Sequence, residues 1–180
     1  MGSLQNLKSR SRAVRNVGQI TKAMELVAAT KMRKAQEIAL SSRPYAFASL
    51  ELLWKLSGGE DIATPLGEVH EAKKTLLMVV ASDKGLTGAF NTQVFRMAEK
   101  FLQQDDRAKD PEHSYFGFAL GKKASLYLLK KKINLVGNIS GAGDYTSPED
   151  VDSVARLLID GFLAKRWDRV LVVSTHFRSA

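Results

Sequence analysis

The chain has 180 residues, 44% of them hydrophobic and 26% charged, an ordinary globular composition with material for one domain and its core. It contains no cysteine, which excludes disulfides and thiolate metal sites, and no apolar run near the ~20 residues that span a bilayer. The net charge of +8 is concentrated at one end: residues 1–43 hold nine Lys/Arg against two acids, and the other 137 hold eighteen against seventeen. A segment so basic seeks an acidic partner: nucleic acid, lipid headgroups or an acidic protein surface.

The start, "MGSLQNLKSRSR", lacks the apolar stretch of a secretory signal, and Asn6 breaks the myristoylation pattern, so it reads as mature sequence. Leu4 to Ser57 reads as helix, interrupted only by Gly18 and Pro44 and stopped by "SGG" at 57–59. Pro44 is expected to kink or divide it. Fifty helical residues make a rod of about 75 Å, wider than a compact domain of this size, so part of it should project. A 3,4 spacing picks out Leu7, Arg10, Val14, Val17, Thr21, Met24, Ala28, Lys31, Ala35 and Ile38, of which seven of ten are apolar, a fair coiled-coil seam. At about 100° per residue, Lys8, Arg12, Arg15, Lys22 and Arg33 fall on the opposite side as a positive stripe. The small side chains of Ala23, Ala28, Ala29 and Ala35 would let a partner helix come close.

Residues 58–73 read as a connector, and 74–180 as an α/β domain. "TLLMVVAS" (75–82) reads as a buried strand, and "NTQVFRMAEKFLQQ" (91–104) as a helix capped by Asn91 or Thr92. "SYFGFAL" (114–120) is expected to be a strand, "KKASLYLLKKK" (122–132) a helix and "INLVGNIS" (133–140) a strand. "SPEDVDSVARLLIDGFLAKRW" (147–167) should be a helix, with Ser147 as N-cap and Pro148 at its first position, and "RVLVVST" (169–175) a strand. Alternating strands and helices predict a mostly parallel, helix-covered, Rossmann-like sheet. No second long helix follows, so the seam is expected to find its mate outside these residues.

"ASDKGLTGAFN" (81–91) joins a strand to a helix with two glycines, where backbone amides can cradle phosphate, but it matches neither common phosphate-loop spacing. Gly85 and Gly88 can equally shape a tight turn, and Asp83 and Lys84 a surface pair. His70, His113 and His176 lack metal-ligand spacing. "GAGD" (141–144) reads as a loop, and "KKK" (130–132) suits a helix end. Ser174 and Ser179 show no nucleophile-elbow pattern. No catalytic residue, cofactor or metal is expected. The basic helix could instead hold nucleic acid as a dimer, although its stripe lacks interleaved aromatics. An enzyme working through the loop at 82–91 is a third reading.

"ITKAMELVAATKMRKAQ" (20–36), "SRPYAFASLELLWKL" (42–56) and "ASDKGLTGAFN" resemble the gamma subunit of F-type ATP synthases, as does the order of strands and helices across essentially the whole chain. The resemblance implies a non-catalytic rotor shaft. Its N- and C-terminal helices would form an antiparallel coiled coil inside a hexamer of alpha and beta subunits. Its α/β domain would rest on the membrane rotor ring of c subunits and bind epsilon. It implies a peripheral place on the cytoplasmic face of the bacterial inner membrane, or the matrix side of the mitochondrial one, and no direct nucleotide. Mapped onto this sequence, Val14, Val17, Thr21, Met24, Ala28, Ala35 and Ile38 would grip the returning helix. Arg12, Ile20, Lys22, Met24, Lys31, Arg33 and Lys34 would meet the hexamer. Members of that family continue into a long C-terminal helix, so a partial gamma is expected here.

Overall fold

The computed structural model describes residues 4–57, 65–66, 71–141 and 148–177; most of the expected connector, His70, Ser179 and the N-cap Ser147 lie outside them. The chain divides into two compact units, Met1–Leu53 and Trp54–Ala180.

Helix α1 spans Leu4–Ser57, 54 residues without a break, or about 81 Å of helix. Pro44 lies inside it and does not divide it. The proline ring has no N–H for the Leu40 carbonyl, which costs the helix one bond. Just upstream, the hydroxyls of Ser41 and Ser42 donate to the carbonyls of Ile38 and Ala39 at 3.0 and 3.1 Å. Thr21 likewise donates to the Val17 carbonyl at 2.8 Å. Each hydroxyl thus finds a backbone acceptor within its own helix.

The second unit holds β1 (Lys74–Val80), α2 (Phe90–Gln104), a short 3₁₀ turn (Asp106–Lys109), β2 (Ser114–Leu120), α3 (Lys122–Lys130), β3 (Asn134–Ile139), α4 (Pro148–Leu163) and β4 (Arg169–Val173). The four strands lie in the order β3-β2-β1-β4, all parallel. The chain therefore steps outward from β1 to β3 and then returns to the other side of β1, the topology of a doubly wound sheet. Parallel strands covered on both faces need continuous apolar runs, and "TLLMVV" supplies one. Leu76 and Leu77, neighbours in sequence, point to opposite faces and are both fully buried.

On one face Leu77 and Val79 meet Val94 and Ala98 of α2 and Ala124, Tyr127 and Leu128 of α3. Phe95 and Tyr127 stack between those helices with ring centroids 4.4 Å apart. On the other face Leu76, Met78 and Phe118 meet Val154 of α4 and Trp167. Trp167 lies across Gly161: a Cβ there would sit 1.8 Å from the indole, so only glycine fits. The indole N–H donates to the Leu158 carbonyl at 3.0 Å, which pins the end of α4. Gly121 starts α3 with φ 97°, and a Cβ on it would lie 2.0 Å from the Ala81 carbonyl oxygen. Here the chain needs both the left-handed backbone and the missing side chain.

Most boundaries differ from expectation by one or two residues, and two of the differences have a local reason. Helix α2 begins at Phe90 after Ala89, which makes no side-chain cap; Asn91 is spent elsewhere. Helix α4 ends at Leu163 rather than 167, because Trp167 turns back into the core.

Candidate functional site on the long helix

The two faces read from α1 lie on one unbroken helix whose described side chains are mostly exposed. Seam residues Val14, Val17 and Met24 are 72, 61 and 53% exposed. Ile20, Leu26, Val27, Met32 and Ile38 are exposed as well. Burying a side chain of that size is worth about 1.5–3 kcal/mol. A stripe this long therefore has a large unrealised burial energy toward a second helix.

The small residues do what their size allows. Two shallow hollows share Ala23. One is bordered by Ile20, Met24, Val27, Ala28 and Lys31, along the seam's flank. The other is bordered by Gln19, Lys22, Glu25, Leu26 and Ala29. At about 100° per residue, Leu26 falls among Lys8, Arg15, Lys22 and Arg33. The basic stripe is thus interrupted by an exposed apolar residue with a hollow beside it. Periodicity could have found this from Leu26, Ala23 and Ala29.

Helical angle sorts the residues mapped from the resemblance. Arg12, Lys22 and Arg33 lie on the basic side and Lys34 beside it. Ile20 borders the seam, and Met24 and Lys31 lie within it, at about 100° per residue. The hexamer-contact set therefore wraps round the helix rather than keeping to one face.

The loop after β1 is the second candidate, and its polar groups turn inward. Asp83 accepts hydrogen bonds from the backbone N–H of Lys122, the first residue of α3, at 2.8 Å and of Gly141 at 2.9 Å. The Asn91 carbonyl oxygen accepts the Ser82 N–H at 3.0 Å, and its amide donates to the Ser82 and Thr87 hydroxyls at 2.8 and 3.0 Å. Asn91 thus ties the loop to α2 instead of capping that helix. Leu86, with φ 63°, is almost fully exposed.

A polar network at the amino ends of the strands was not foreseen from the sequence. Tyr115, Thr75 and Arg169 form one row across β2, β1 and β4. Asp105, at the end of α2, has a side chain only 5% exposed and pairs with the Arg169 guanidinium. It also accepts the Tyr115 hydroxyl at 2.8 Å and the Arg107 N–H at 3.3 Å. Arg169 donates as well to the Thr75 hydroxyl, which contacts His113 at 3.0 Å. Burial works against ionising Asp105, but the bonds from Arg169, Tyr115 and Arg107 outweigh it and hold the carboxyl below its usual range. Burial and the same carboxylate push Tyr115 up to about 12. Every group has its partner, so the network reads as structural cement.

Among the other candidates, Lys131 pairs with Glu99 at 2.7 Å, and His176 and Ser174 lie exposed. No cluster of three metal-ligating side chains occurs among the described residues. No helix there is long and apolar enough to cross a membrane.

A protein-family model described as ATP synthase matches residues 3–180. The ATP synthase gamma chain of Roseiflexus castenholzii is 36% identical over 180 residues, covering 98% of this chain and 61% of that one. That of Geotalea uraniireducens is 34% identical, covering 99 and 61%. That of Christiangramia forsetii is 34% identical, covering 100 and 62%. The chain thus spans about three fifths of the length of these curated relatives.

Proposed function

The chain belongs to the ATP synthase gamma-chain family, and from that premise we propose that it acts as the central rotor shaft of an F-type ATP synthase. The observation that carries this reading is the two-sided helix α1: an exposed apolar seam on one side and a basic stripe on the other. The two sides differ in the kind of bond they form. Seam contacts, at about 1.5–3 kcal/mol for each buried side chain, add up to a permanent helix pair. Exposed ion pairs are worth about 0–1 kcal/mol each and reach over roughly 8–10 Å in cellular salt. A shaft must break its contacts with the surrounding collar at every step and keep those with its own mate. Strong seam bonds and weak, exchangeable stripe bonds meet both needs.

In this reading the seam of Val14, Val17, Thr21, Met24, Ala28, Ala35 and Ile38 takes the C-terminal helix of the gamma chain. Arg12, Ile20, Lys22, Met24, Lys31, Arg33 and Lys34 face the alpha/beta hexamer. The α/β unit meets epsilon and the membrane ring of c subunits, which makes the protein peripheral on the membrane, on the cytoplasmic side in a bacterium. The chain does no chemistry itself. As the shaft turns, its asymmetric sides meet each catalytic subunit in succession, and each orientation favours a different conformation of that subunit. Ion flow through the membrane sector drives the turning, and the shaft converts it into cycles of nucleotide affinity.

Reconstitution tests this. The chain is mixed with alpha and beta subunits, with and without a peptide of a gamma C-terminal helix. A stable complex with that peptide is expected, weakened by Lys22→Glu and Arg33→Glu together and by added salt. No complex even with the peptide would overturn the rotor reading.

A further inference from the structure

The two oxygens of Asp83 bond two separate backbone amides, those of Lys122 and Gly141, which lie 39 and 58 residues away in sequence. Lys122 opens α3 directly after β2, and Gly141 follows β3. One side chain rooted after β1 thus holds the carboxyl ends of three adjacent strands. Backbone bonds flank it: Lys123 N–H to the Ser82 carbonyl at 3.0 Å, and Gly121 N–H to the Ile139 carbonyl at 2.7 Å. An amide at a helix start and one in a loop are donors of the kind that would otherwise point at an anion.

We propose that Asp83 is a positioning residue, a built-in anion that takes up these two amides, fixes the loop Ser82–Ala89 across the carboxyl ends of the strands and closes that end of the sheet to phosphate. The idea is independent of the rotor reading. Asparagine would be a poor replacement, because it offers one acceptor oxygen for two donors.

Amide hydrogen exchange of the full chain, read residue by residue, tests this. In Asp83→Ala, the Lys122 and Gly141 amides should exchange about tenfold or more faster, as loss of a charge-assisted bond implies, with Leu77 in β1 unchanged. In Asp83→Asn, only one of the two amides should accelerate; this asymmetry separates bonding from a general loss of stability. Inorganic phosphate should shift neither amide in the unaltered chain. Unchanged rates in Asp83→Ala, equal acceleration throughout the sheet in both variants, or a phosphate response in the unaltered chain would overturn the proposal.

Discussion

Helix α1 and the α/β unit use the same kinds of residue in opposite ways. In the unit, Leu76, Leu77, Val79 and Leu128 are fully buried between sheet and helices. In α1, Val14, Val17, Ile20 and Leu26 are each more than half exposed. Sheet and helices complete each other's burial within the unit. The helix presents an amphipathic pattern that its own residues do not bury, which the rotor reading assigns to partners. Core substitutions should therefore register at once in the unit, whereas seam substitutions in α1 should stay silent until a partner is present.

The largest effect is expected from Leu77→Ala, at about 2–5 kcal/mol, because the cavity would lie between the sheet and two helices. Denaturant unfolding followed by the fluorescence of Trp167, which is buried against the opposite face, would measure it. A loss below about 0.5 kcal/mol would place the unit's core in the same class as the helix's exposed residues.

Next is Asp105→Ala, which strips the partner from an Arg169 side chain that is 22% exposed. About 2–3 kcal/mol is expected, under the ~3–5 of a fully buried pair because water reaches the guanidinium. The folded carboxyl titrates below its unfolded value. Its contribution is thus present above the unfolded carboxylate range and fades as the pH falls through the folded value. The acid limb of stability against pH should flatten in the variant; an unchanged limb would assign acid sensitivity elsewhere.

A smaller effect belongs to the alkaline side. Burial, chiefly, raises Tyr115 and Tyr127 to about 12. The unfolded chain then releases these protons near pH 10 while the fold retains them, so stability should decline as pH rises from there toward about 12. Tyr127→Phe, which keeps the stack on Phe95, should soften that decline. An identical slope would remove Tyr127 as a cause.

The smallest expected effect is the sharpest contrast. Val17→Ala should change the isolated chain by no more than about 0.5 kcal/mol, and alanine's better helix propensity can tip the sign toward stabilising. With a partner helix bound, the same change should cost about 1 kcal/mol or more through lost burial. Binding of that helix by calorimetry would show it, and equal affinities would take Val17 out of the seam.

Strand β1 was legible because a strand covered on both faces must be apolar throughout, as "TLLMVV" is; "RVLVV" was legible from its β-branched run, although it forms a sheet edge where Val172 is exposed. Helix α1 was legible from its length and its few breakers, Gly18 and Pro44, neither of which divides it. What stayed hidden were polar contacts between distant residues. Asp105 and Arg169 lie 64 residues apart, and only the parallel register carries Arg169 to the row of Thr75 and Tyr115. Asn91 looked like a cap because it opens a helix. The folded loop offers it Ser82 and Thr87 instead, and that choice is tertiary. Leu26 was visible in the sequence, but a stripe defined by charge alone passes over an apolar member.

The most direct test uses the absence of cysteine, so that each introduced thiol is the chain's only one. Val17→Cys on the seam and Arg15→Cys on the stripe would each be labelled with a thiol reagent, alone, with the gamma C-terminal-helix peptide, and with alpha and beta subunits added. The thiol at 17 should be shielded once the peptide binds, while that at 15 stays reactive until the hexamer assembles. Shielding at 15 by the peptide with 17 left open would contradict the division of the helix into a mating side and a collar side.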